Sequence, residues 1–483
     1  MTQTGVARID PFTDGEFRAG AGGITVIDDK FSGAPSAEVS QVSSDQLDQA
    51  IGSLVRAQQE TAWSVADRAE VLAAASAALR QRSEDFARLV VADTGFTITD
   101  ARREAARAAD TLQLSSEEAR RLVGEVIPVS SVRGQENRIA YTTYHPRGVV
   151  CAITPFNSPL NTVVHKVGPA LAAGNAVLLK PATQTPQCAD ALVRLLLEVG
   201  LPPGLISVVY GGGSTVGTWL ARDERLAYYA FTGSTGVGRT LQASVGLRPT
   251  QLELGSLSST LITASADLDR AVDLCVNAGF RKAGQVCTSI QRLYVEQRVL
   301  DDVAERLAKS LGGKVAGDPS RDETFVGPLI APAELDRVSG IVEEAVASGA
   351  RLAHGGVRSG SVLEPTVVTD VAKDTRVMRE EIFGPVLVLR GFDSLAEAIE
   401  EVNDTPYGLA AGVFTENISE AMFAARTLRM GSVHINETSS SRLDLMPYTG
   451  VKDSGHGTEG PRFAVREMSE QRLVSWLPTH PSL

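Results

Sequence analysis

Cysteine is scarce in this chain of 483 residues: there are four, Cys151, Cys188, Cys275 and Cys287. No two of them form a C-x-x-C pair, which excludes a zinc ribbon and a dithiol redox motif, and we expect no metal site. Free cysteines are small apolar side chains and are usually just buried. A function for any of the four therefore needs evidence from the surrounding sequence.

Long apolar runs and an excess of positive charge are missing as well. No run approaches the ~20 residues of a membrane span, and the opening "MTQTGVARIDPF" has no apolar core of the kind found in signal peptides. The formal net charge of −12 argues against general nucleic-acid binding, because a phosphate backbone requires a basic face. We therefore expect a reduced, cytoplasmic protein that binds neither membrane nor nucleic acid.

The order of apolar segments predicts an α/β fold. A hydrophobic share of 43% and a charged share of 22% are ordinary for a globular protein, and the length allows two or three domains. An Ala-rich helical block comes first, and we expect Ser44 to cap its first helix. Next, "IPVSSV" and "RIAYTTYHPRG" look like strands. Short strands such as "GVVCAIT", "AVLLK" and "LAYYAFTG" then alternate with helical stretches such as "LNTVVHKVGPALAAG", and a second alternating block runs from "STLITA" to "GSVHIN" before a last strand, "EQRLVSWL". This alternation is typical of parallel sheets covered by helices on both faces.

Two segments that follow predicted strands have the residues of a nucleotide site. In "FTGSTGVGR", Gly233, Gly236 and Gly238 allow the backbone to approach a phosphate, and the next helix offers its N-terminus to negative charge. The spacing is not G-x-G-x-x-G, so an ordinary glycine-rich turn is the alternative. Lys180 ends the strand of "VLLKPATQTP", where parallel sheets bind ligands, or else it is a solvated lysine.

Two further segments have polar side chains suited to catalysis. Glu253 ends the apolar strand of "LELGS", and a carboxylate there is either paired or functional, because burying it alone is costly. Desolvation would raise its pKa toward the range of a general base. Asn157 lies between Pro155 and Pro159, so its amide is a fixed donor for an oxyanion or a turn cap.

The motifs taken together resemble the NAD(P)-dependent aldehyde dehydrogenase superfamily over nearly the whole chain. In order they are "TPFNSPLN", "LLKPATQTP", "FTGSTGVGR", "LELGS", "GQVCTS", "EEIFGPV", "NDTPYGLAAGVFT" and "GVKDSGHG". The resemblance implies two doubly wound α/β domains and a β oligomerisation flap, in a dimer or a tetramer. By the same resemblance, residues 1–125 and 146–255 form the dinucleotide-binding domain, 256–453 the catalytic domain, and 126–145 with 467–483 the flap.

The same resemblance implies a mechanism. Cys287 becomes the nucleophile that forms a thiohemiacetal with an aldehyde, and the Asn157 side chain with the cysteine N–H holds the oxyanion. After hydride transfer, Glu253 activates the water that hydrolyses the thioester. Lys166 and Glu459 match a proton-relay pair of the family.

The implied cofactor residues are spread over several segments. Lys180 and Glu381 match residues that hold the adenosine ribose and the nicotinamide ribose, and Phe383 matches the aromatic beside the nicotinamide. NAD-preferring members often have Glu three residues after the lysine, where this chain has Thr183. We therefore expect NADP to be slightly favoured over NAD, although Thr183 in an NAD enzyme is the alternative. The other implied cofactor contacts are Thr154, Pro155, Phe156, Gly212, Gly233, Ser234, Val237 and Leu254.

The chain departs from the family pattern beside two motifs. Where the family usually reads "ELGGK", Ser256 and Leu257 replace Gly and Lys, and the common Trp before the oxyanion Asn is Phe156. A CoA-acylating dehydrogenase is one rival interpretation, but such relatives generally lack the base that Glu253 supplies. A non-enzymatic homologue is a second rival, and it would be expected to lose Cys287, Asn157 or Glu253.

Positions that line the substrate tunnel in many members are polar or charged here. Arg107, Arg281 and Arg442 stand at three of them, and the others are Ser158, Thr162, His165 and Thr288. Arginine binds phosphate and carboxylate oxygens bidentately, so we expect a small anionic aldehyde with a phosphonate or phosphate group. A short hydroxy- or carboxy-aldehyde, such as lactaldehyde or a semialdehyde, is the second choice, and arginines paired with Asp or Glu are the alternative. Phosphate-using relatives often have Arg directly before the cysteine, where this chain has Val286.

Overall fold

The computed structural model describes residues 6–478. The predictions made for residues 1–5 and 479–483 lie outside this range. The helices are α1 Ser44–Glu60, α2 Val65–Gln81, α3 Ser83–Thr94, α4 Ile98–Arg121, α5 Asn161–Ala173, α6 Gln187–Glu198, α7 Thr218–Arg222, α8 Thr235–Val245, α9 Leu268–Phe280, α10 Leu300–Leu311, α11 Pro332–Ala347, α12 Arg376–Arg379, α13 Leu395–Asn403, α14 Ile418–Thr427 and α15 Pro461–Glu467. The strands are β1 Ala7–Ile9, β2 Phe12–Thr13, β3 Glu16–Phe17, β4 Ile24–Asp28, β5 Pro35–Ser40, β6 Val126–Ile127, β7 Ile139–Pro146, β8 Val149–Ile153, β9 Ala176–Lys180, β10 Ile206–Val208, β11 Leu226–Thr232, β12 Thr250–Glu253, β13 Ser259–Ile262, β14 Arg292–Glu296, β15 Val315–Ala316, β16 Thr324–Val326, β17 Arg351–His354, β18 Arg358–Ser359, β19 Val362–Leu363, β20 Thr366–Thr369, β21 Val386–Phe392, β22 Tyr407–Gly408, β23 Ala410–Phe414, β24 Ser432–Ile435, β25 Val451–Lys452, β26 Gly455–His456 and β27 Ser469–Trp476.

The first large sheet has eight strands in the order β26-β12-β11-β8-β9-β10-β2-β3. The five strands from β12 to β10 are parallel, and antiparallel β26 and β2 flank them. The carboxyl ends of parallel strands share one edge of a sheet, and the register places Glu253 opposite Thr232 and Lys180 opposite Ile153 at that edge. The strand ends that the sequence singled out are therefore neighbours.

The second large sheet has seven strands in the order β17-β20-β21-β14-β13-β23-β24. All but β17 are parallel, and helices α9 and α11 contribute buried side chains to its core. The segment with Cys287 connects α9 to β14. The predicted α/β class, with two helix-covered parallel sheets, is confirmed.

A third sheet is antiparallel and has the order β27-β7-β6. Strands β27 and β7 pair over eight residues, from Ser469 opposite Pro146 to Trp476 opposite Ile139. Both were predicted as strands. The predicted strand "IPVSSV" is shorter than expected, because Pro128 is followed by a 3-10 turn after only two strand residues. The division into domains stays a prediction.

One cap differs from the sequence prediction. Ser43, not Ser44, is the N-cap of α1, and it forms a capping box with Gln46. Adjacent serines make the two positions hard to separate by sequence. No helix among residues 6–478 is long and apolar enough to cross a membrane.

Candidate active site

A left-handed turn precedes the candidate nucleophile Cys287 and positions it. Lys282, Ala283 and Gly284 have φ values of 53°, 54° and 69° in succession. A Cβ on Gly284 would lie 2.0 Å from the carbonyl oxygen of Gly384, so only glycine fits there. The Gln285 side chain then fastens the turn, since its Oε1 accepts a 3.0 Å hydrogen bond from the N–H of Ile330. The Gly-Gln pair before the cysteine thus fixes the backbone that leads to it.

Cys287 differs from the other cysteines in its exposure and its contacts. It is partly exposed, whereas the other three are buried. Its Sγ lies 2.8 Å from the Tyr448 hydroxyl, and its carbonyl accepts a 3.1 Å hydrogen bond from Ser258 Oγ. Burial raises the pKa of the Cys287 thiol to about 11, opposed by the Tyr448 hydrogen bond and the charge of Arg442. The resting sulfur is therefore a thiol at neutral pH.

Glu253 ends β12 with its carboxyl group buried. Its side chain is 3% exposed, and neither carboxylate oxygen has a hydrogen-bond partner in the described part of the chain. Burial raises the pKa of Glu253 well above its ordinary value, and the nearby Glu459 carboxylate adds to the rise. Such a group can bind a small polar molecule, and in its ionised form it can take a proton from that molecule.

The segment around Asn157 is tied to the nucleophile turn by a buried ion pair. Lys282 Nζ donates a 2.9 Å hydrogen bond to the Asn157 carbonyl and bonds the Glu104 carboxylate of α4. The other Glu104 oxygen accepts from the N–H groups of Leu160 and Asn161, at 3.0 and 3.2 Å. One carboxylate therefore connects α4, the start of α5 and the cysteine segment.

Lys166 and Glu459, predicted as a pair, lie together in the structure. Lys166 Nζ is 3.2 Å from Glu459 Oε2, and both side chains are almost fully buried. Arg442 donates to the other Glu459 oxygen. Burial alone would raise the pKa of Glu459, but the two cations outweigh it and hold the pKa well below its ordinary value.

Asp444 organises a second buried cluster. It accepts two hydrogen bonds from Arg107, at 2.7 and 3.0 Å, and lies 2.8 Å from His165 Nε2. Despite burial, these partners hold the pKa of Asp444 well below its ordinary value, while burial lowers the pKa of His165. Arg107 and Arg442 are thus each paired with a carboxylate, the alternative that the sequence left open.

Arg281 is different from the other two arginines. Within the described residues it forms no ion pair under 4.0 Å, and its Nη2 donates a 2.6 Å hydrogen bond to Ser440 Oγ. Ser440 Oγ lies 3.3 Å from Thr288 Oγ1, so a polar chain runs from Arg281 to the residue after Cys287. Thr162 lies in the first turn of α5, where its N–H donates to the carbonyl of Ser158 at 3.2 Å.

The carboxyl edge of the first sheet contains the predicted adenosine side of a dinucleotide site. Lys180 is 5% exposed and its Nζ contacts only the Pro181 carbonyl, at 3.4 Å, in the described chain. Thr183 Oγ1 donates to the Gly211 carbonyl at 3.3 Å. The remaining predicted contacts lie along the same edge: Gly212 before a π-helical turn, Gly233 and Ser234 between β11 and α8, exposed Val237 in α8, and Thr154 and Leu254 after their strands.

The predicted nicotinamide side contains two phenylalanines in contact. Phe156, which follows Pro155, and Phe383 have ring centroids 5.8 Å apart at 83°, and Phe383 has a positive φ of 52°. Glu381 Oε1 accepts a 3.0 Å hydrogen bond from the N–H of Ser256, and burial raises the pKa of Glu381 to about 7. Cys287, Glu381 and Phe383 line one small cavity of about 10 Å³.

These groups fit a dinucleotide. The Lys180 ammonium is buried without a carboxylate partner, the N-terminus of α8 has no side-chain cap, and the buried Thr154 hydroxyl is unpartnered among the described residues. A ligand rich in hydroxyls and phosphates supplies the missing partners. Within residues 6–478 no three His, Cys, Asp or Glu side chains are arranged to hold a metal ion.

The departures from the family pattern are accommodated locally. Ser256 Oγ lies 2.8 Å from Ser258 Oγ, which in turn bonds the Cys287 carbonyl. Leu257 is buried at 2% exposure, and its carbonyl accepts from Arg292 at 3.2 Å. Ser256 is therefore connected through Ser258 to the nucleophile segment, and the Leu257 side chain is buried.

Sequence reasoning missed five residues of this site: Glu104, Lys282, Ser440, Asp444 and Tyr448. Asp444 had one usable signal, because it lies two residues from Arg442 and buried arginines need carboxylates. Tyr448 had none, since 161 residues separate it from Cys287.

The fold and site together define an oxidoreductase class, and comparison with known proteins agrees. The family model for the aldehyde dehydrogenase family matches residues 18–474, and the chain belongs to that family. It is an NAD(P)-dependent aldehyde dehydrogenase. The alternative of a non-enzymatic homologue is therefore excluded.

Three relatives are particularly similar. The chain is 43% identical over 471 residues to 3-sulfolactaldehyde dehydrogenase of Priestia megaterium, covering 98% of each protein. It is 36% identical to sulfoacetaldehyde dehydrogenase of Neptuniibacter caesariensis, covering 84% of this chain and 89% of the relative. The crystal structure of aldehyde dehydrogenase 21 from Physcomitrella patens, in complex with the reaction product succinate, superposes with a TM-score of 0.94 at 33% identity, covering 98% of each chain.

Proposed function

We propose that this enzyme oxidises a small aldehyde bearing a sulfonate, with 3-sulfolactaldehyde as the first candidate, to the carboxylic acid. Two of the relatives are named for sulfonated aldehydes, and the third was crystallised with succinate, which has a second carboxylate. The phosphonate-bearing aldehyde favoured by the sequence has the same tetrahedral oxygen geometry, and it is the alternative substrate. A CoA-acylating reaction is disfavoured, because Glu253 is present to activate water.

Arg281 is the observation that carries this proposal. Its guanidinium is half-buried beside the nucleophile segment, with one hydroxyl partner and no carboxylate within 4.0 Å in the described chain. A substrate anion would supply the missing counter-charge through charge-assisted hydrogen bonds. Ser440 and Thr288 add hydroxyl donors next to it.

The charge balance of the surrounding site favours the same conclusion. Two carboxylates, Asp444 and Glu459, have pKa values held low, whereas the pKa of Glu253 is raised. Arg107 is paired with Asp444, and Lys166 and Arg442 are paired with Glu459, which leaves Arg281 without a carboxylate partner in the described chain. A sulfonate carries a single negative charge, whereas a phosphate carries about 1.5–2 at neutral pH, and one unpaired arginine suits the single charge better.

The proposed reaction begins with addition of the Cys287 thiolate to the aldehyde carbon. The developing oxyanion accepts hydrogen bonds from the Asn157 side-chain amide and the Cys287 N–H. The Lys282 bond to the Asn157 carbonyl holds this loop in place. Bound NAD(P) supplies the hydride acceptor.

Hydrolysis of the resulting thioester requires a base. Glu253 takes a proton from water as the water oxygen attacks the acyl carbon, and the Cys287 thiolate leaves. Its unpartnered oxygens leave room for this water. Lys166 and Glu459 are proposed to pass the proton onward, because the charges of both groups act on the pKa of Glu253 and the two side chains are paired.

For the cofactor we propose that NADP is slightly favoured over NAD. Thr183 brings no carboxylate to repel a 2′-phosphate, and its hydroxyl donates to the Gly211 carbonyl. Comparing kcat/KM for the two cofactors tests this, and a tenfold preference for NAD would reject it.

A substrate panel tests the proposal. Cofactor reduction is followed with 3-sulfolactaldehyde, phosphonoacetaldehyde and lactaldehyde, each with and without CoA. Lactaldehyde is the matched control, because it lacks only the sulfonate. An ionic hydrogen bond is worth ~1.5–3 kcal/mol, so we expect kcat/KM to be about 10–100-fold higher for 3-sulfolactaldehyde than for lactaldehyde. Equal values would contradict the proposal, and strict CoA dependence would favour acylation.

Arg281→Ala locates the anion site. We expect it to lower kcat/KM for 3-sulfolactaldehyde about 10–100-fold and to leave lactaldehyde nearly unchanged. Arg103→Ala is the matched control, because Arg103 lines the same cleft of about 660 Å³ as Arg281. Arg107→Ala and Arg442→Ala are less selective tests, since each strands a buried carboxylate. No selective loss in Arg281→Ala would remove Arg281 from the substrate site.

A further inference from the structure

We propose that Tyr448 is a further catalytic residue, whose hydroxyl donates a hydrogen bond to the Cys287 thiolate and stabilises the attacking form of the nucleophile. The proposal rests on the proposed role of Cys287. Tyr448 Oη lies 2.8 Å from Cys287 Sγ, and in the described chain it is the one side chain that hydrogen-bonds this sulfur. The contact joins the reacting atom to a group 161 positions away in the sequence.

Tyr448 is held rigidly in this position. Its N–H donates to the Glu459 carbonyl at 3.0 Å, and the Glu459 N–H donates back to its carbonyl at 2.8 Å. The Arg442 guanidinium covers the phenol ring, with its central carbon 4.0 Å from the ring centroid. Arg442 is fixed in turn by the Glu459 side chain. The hydroxyl is therefore aimed at the sulfur by backbone pairing and by a stacked cation.

A thiolate has no proton to donate, so in the hydrogen bond to the charged sulfur the Tyr448 hydroxyl is the donor. Burial raises the pKa of the Tyr448 hydroxyl well above its ordinary value, and the adjacent Cys287 adds to the rise, so the phenol keeps its proton. The charged groups that face Cys287 are Glu253 and Glu381, which oppose the thiolate, and Arg442 and Arg281, which favour it. Tyr448 adds a neutral donor that strengthens only when the sulfur is charged.

Tyr448 acts at two steps of the proposed reaction, the attack of the thiolate and its departure. It keeps its proton in both steps. Before attack, the Cys287 thiol releases its proton to water, and the phenol stabilises the thiolate that remains. As the carbon–sulfur bond forms, the negative charge moves to the substrate oxygen and the Tyr448 bond weakens. When water displaces the thioester sulfur, the carbon–sulfur electron pair returns to Cys287, and Tyr448 stabilises the leaving thiolate.

Tyr448→Phe removes only the hydroxyl oxygen and tests the proposal directly. The pH dependence of Cys287 alkylation by iodoacetamide reports the thiol pKa, and the other three cysteines are buried. We expect the apparent pKa to rise by about one to two pH units, the equivalent of one charge-assisted hydrogen bond. The pre-steady-state burst of reduced cofactor should slow about 10–100-fold at neutral pH.

Two controls make the result specific. Tyr294→Phe removes another buried hydroxyl from the second sheet, one that bonds Glu401 at 3.1 Å, and should leave the pKa of Cys287 unchanged. Cys287→Ser should abolish both alkylation and activity, and an active Cys287→Ser enzyme would overturn the nucleophile itself. If folded Tyr448→Phe has an unchanged Cys287 pKa and Cys287→Ser is inactive, the role of Tyr448 is overturned and that of Cys287 is not. Tyr448→Leu repeats the measurement should Tyr448→Phe fail to fold, with the same two outcomes.

Discussion

Cys287 and Glu253 both lie in surroundings that favour their uncharged forms. Burial raises both pKa values, and the Glu459 carboxylate raises that of Glu253 further. The reactive forms of both groups therefore become more populated as the pH rises. Tyr448 and Arg442 act in the opposite direction and lower the pKa of Cys287. Lys166 and Arg442 likewise lower the pKa of Glu253.

The first prediction separates the two groups. Glu253→Gln should retain the burst of reduced cofactor, because acylation does not need the base, but slow steady-state turnover about 10²–10⁴-fold. In the wild type, turnover should increase with pH as the raised pKa of Glu253 is passed, and this increase should be lost in the variant. Rapid-mixing and steady-state rates over a pH series measure both effects. Turnover of Glu253→Gln at the wild-type rate would exclude Glu253 as the base.

The limits of sequence reasoning are visible at the same scale. The ordered motifs predicted the family, and the family model confirms it. The pairing of Arg107 was not predictable by spacing, because its partner Asp444 lies 337 positions away. Whether an arginine is free for an anion depends on such tertiary partners, which is why Arg281 could be distinguished only in three dimensions.

Among the elements, the left-handed turn before Cys287 depends on two carboxylates of helix α4. Asp100 of α4 accepts from the Lys282 N–H at 2.8 Å, and Glu104, one turn further, pairs with the Lys282 ammonium. The same Glu104 caps the first N–H groups of α5. Positive φ at Lys282 and Ala283 is unfavourable for residues with a side chain, so these bonds hold a strained backbone in place.

The second prediction concerns this ion pair. Breaking a buried pair leaves an uncompensated charge, so Glu104→Leu and Lys282→Met should each lower the free energy of unfolding by ~3–5 kcal/mol, and the double variant by less than the sum. Thermal midpoints of the four proteins measure this. Arg102→Ala is the control, because Arg102 lies on the same helix as Glu104 but forms an exposed ion pair, with Glu84 of α3.

The pH dependence of stability gives an independent check on the same pair. Burial opposes ionisation of Glu104, but Lys282 outweighs it and lowers the pKa in the folded state. The stabilisation is therefore present above the ordinary glutamate pKa and is lost as the pH falls through the lower folded value. The losses in free energy of unfolding of the two single variants could instead add exactly in the double variant, with no loss of stability at acid pH in the wild type. That result would show that the pair does not hold the turn.

At the scale of the whole molecule, the third sheet exposes apolar side chains. Leu473 and Trp476 on β27, with Val126 on β6 and Ile139 on β7, are all exposed. Exposed apolar surface of this kind on a three-stranded sheet marks an interaction site. A second copy of the chain is the partner that the family resemblance implies.

The third prediction follows from this surface. We expect the enzyme to be a dimer or a tetramer at micromolar concentration by light scattering. Leu473→Asp combined with Trp476→Lys should shift it toward a monomer. Leu247→Asp, at an even more exposed leucine outside this sheet, is the control and should not. A monomeric wild type would contradict the assignment of the flap.

We propose that this enzyme oxidises a sulfonated aldehyde through a thioester on Cys287. Mass spectrometry of Glu253→Gln, incubated with 3-sulfolactaldehyde and NADP and then digested, tests it most directly, because blocked hydrolysis preserves the acyl group. The account predicts a sulfolactyl adduct on the peptide that contains Cys287, and no adduct when Cys287→Ser is added. A burst of reduced cofactor with unmodified Cys287, or an adduct with lactaldehyde but none with 3-sulfolactaldehyde, would contradict it.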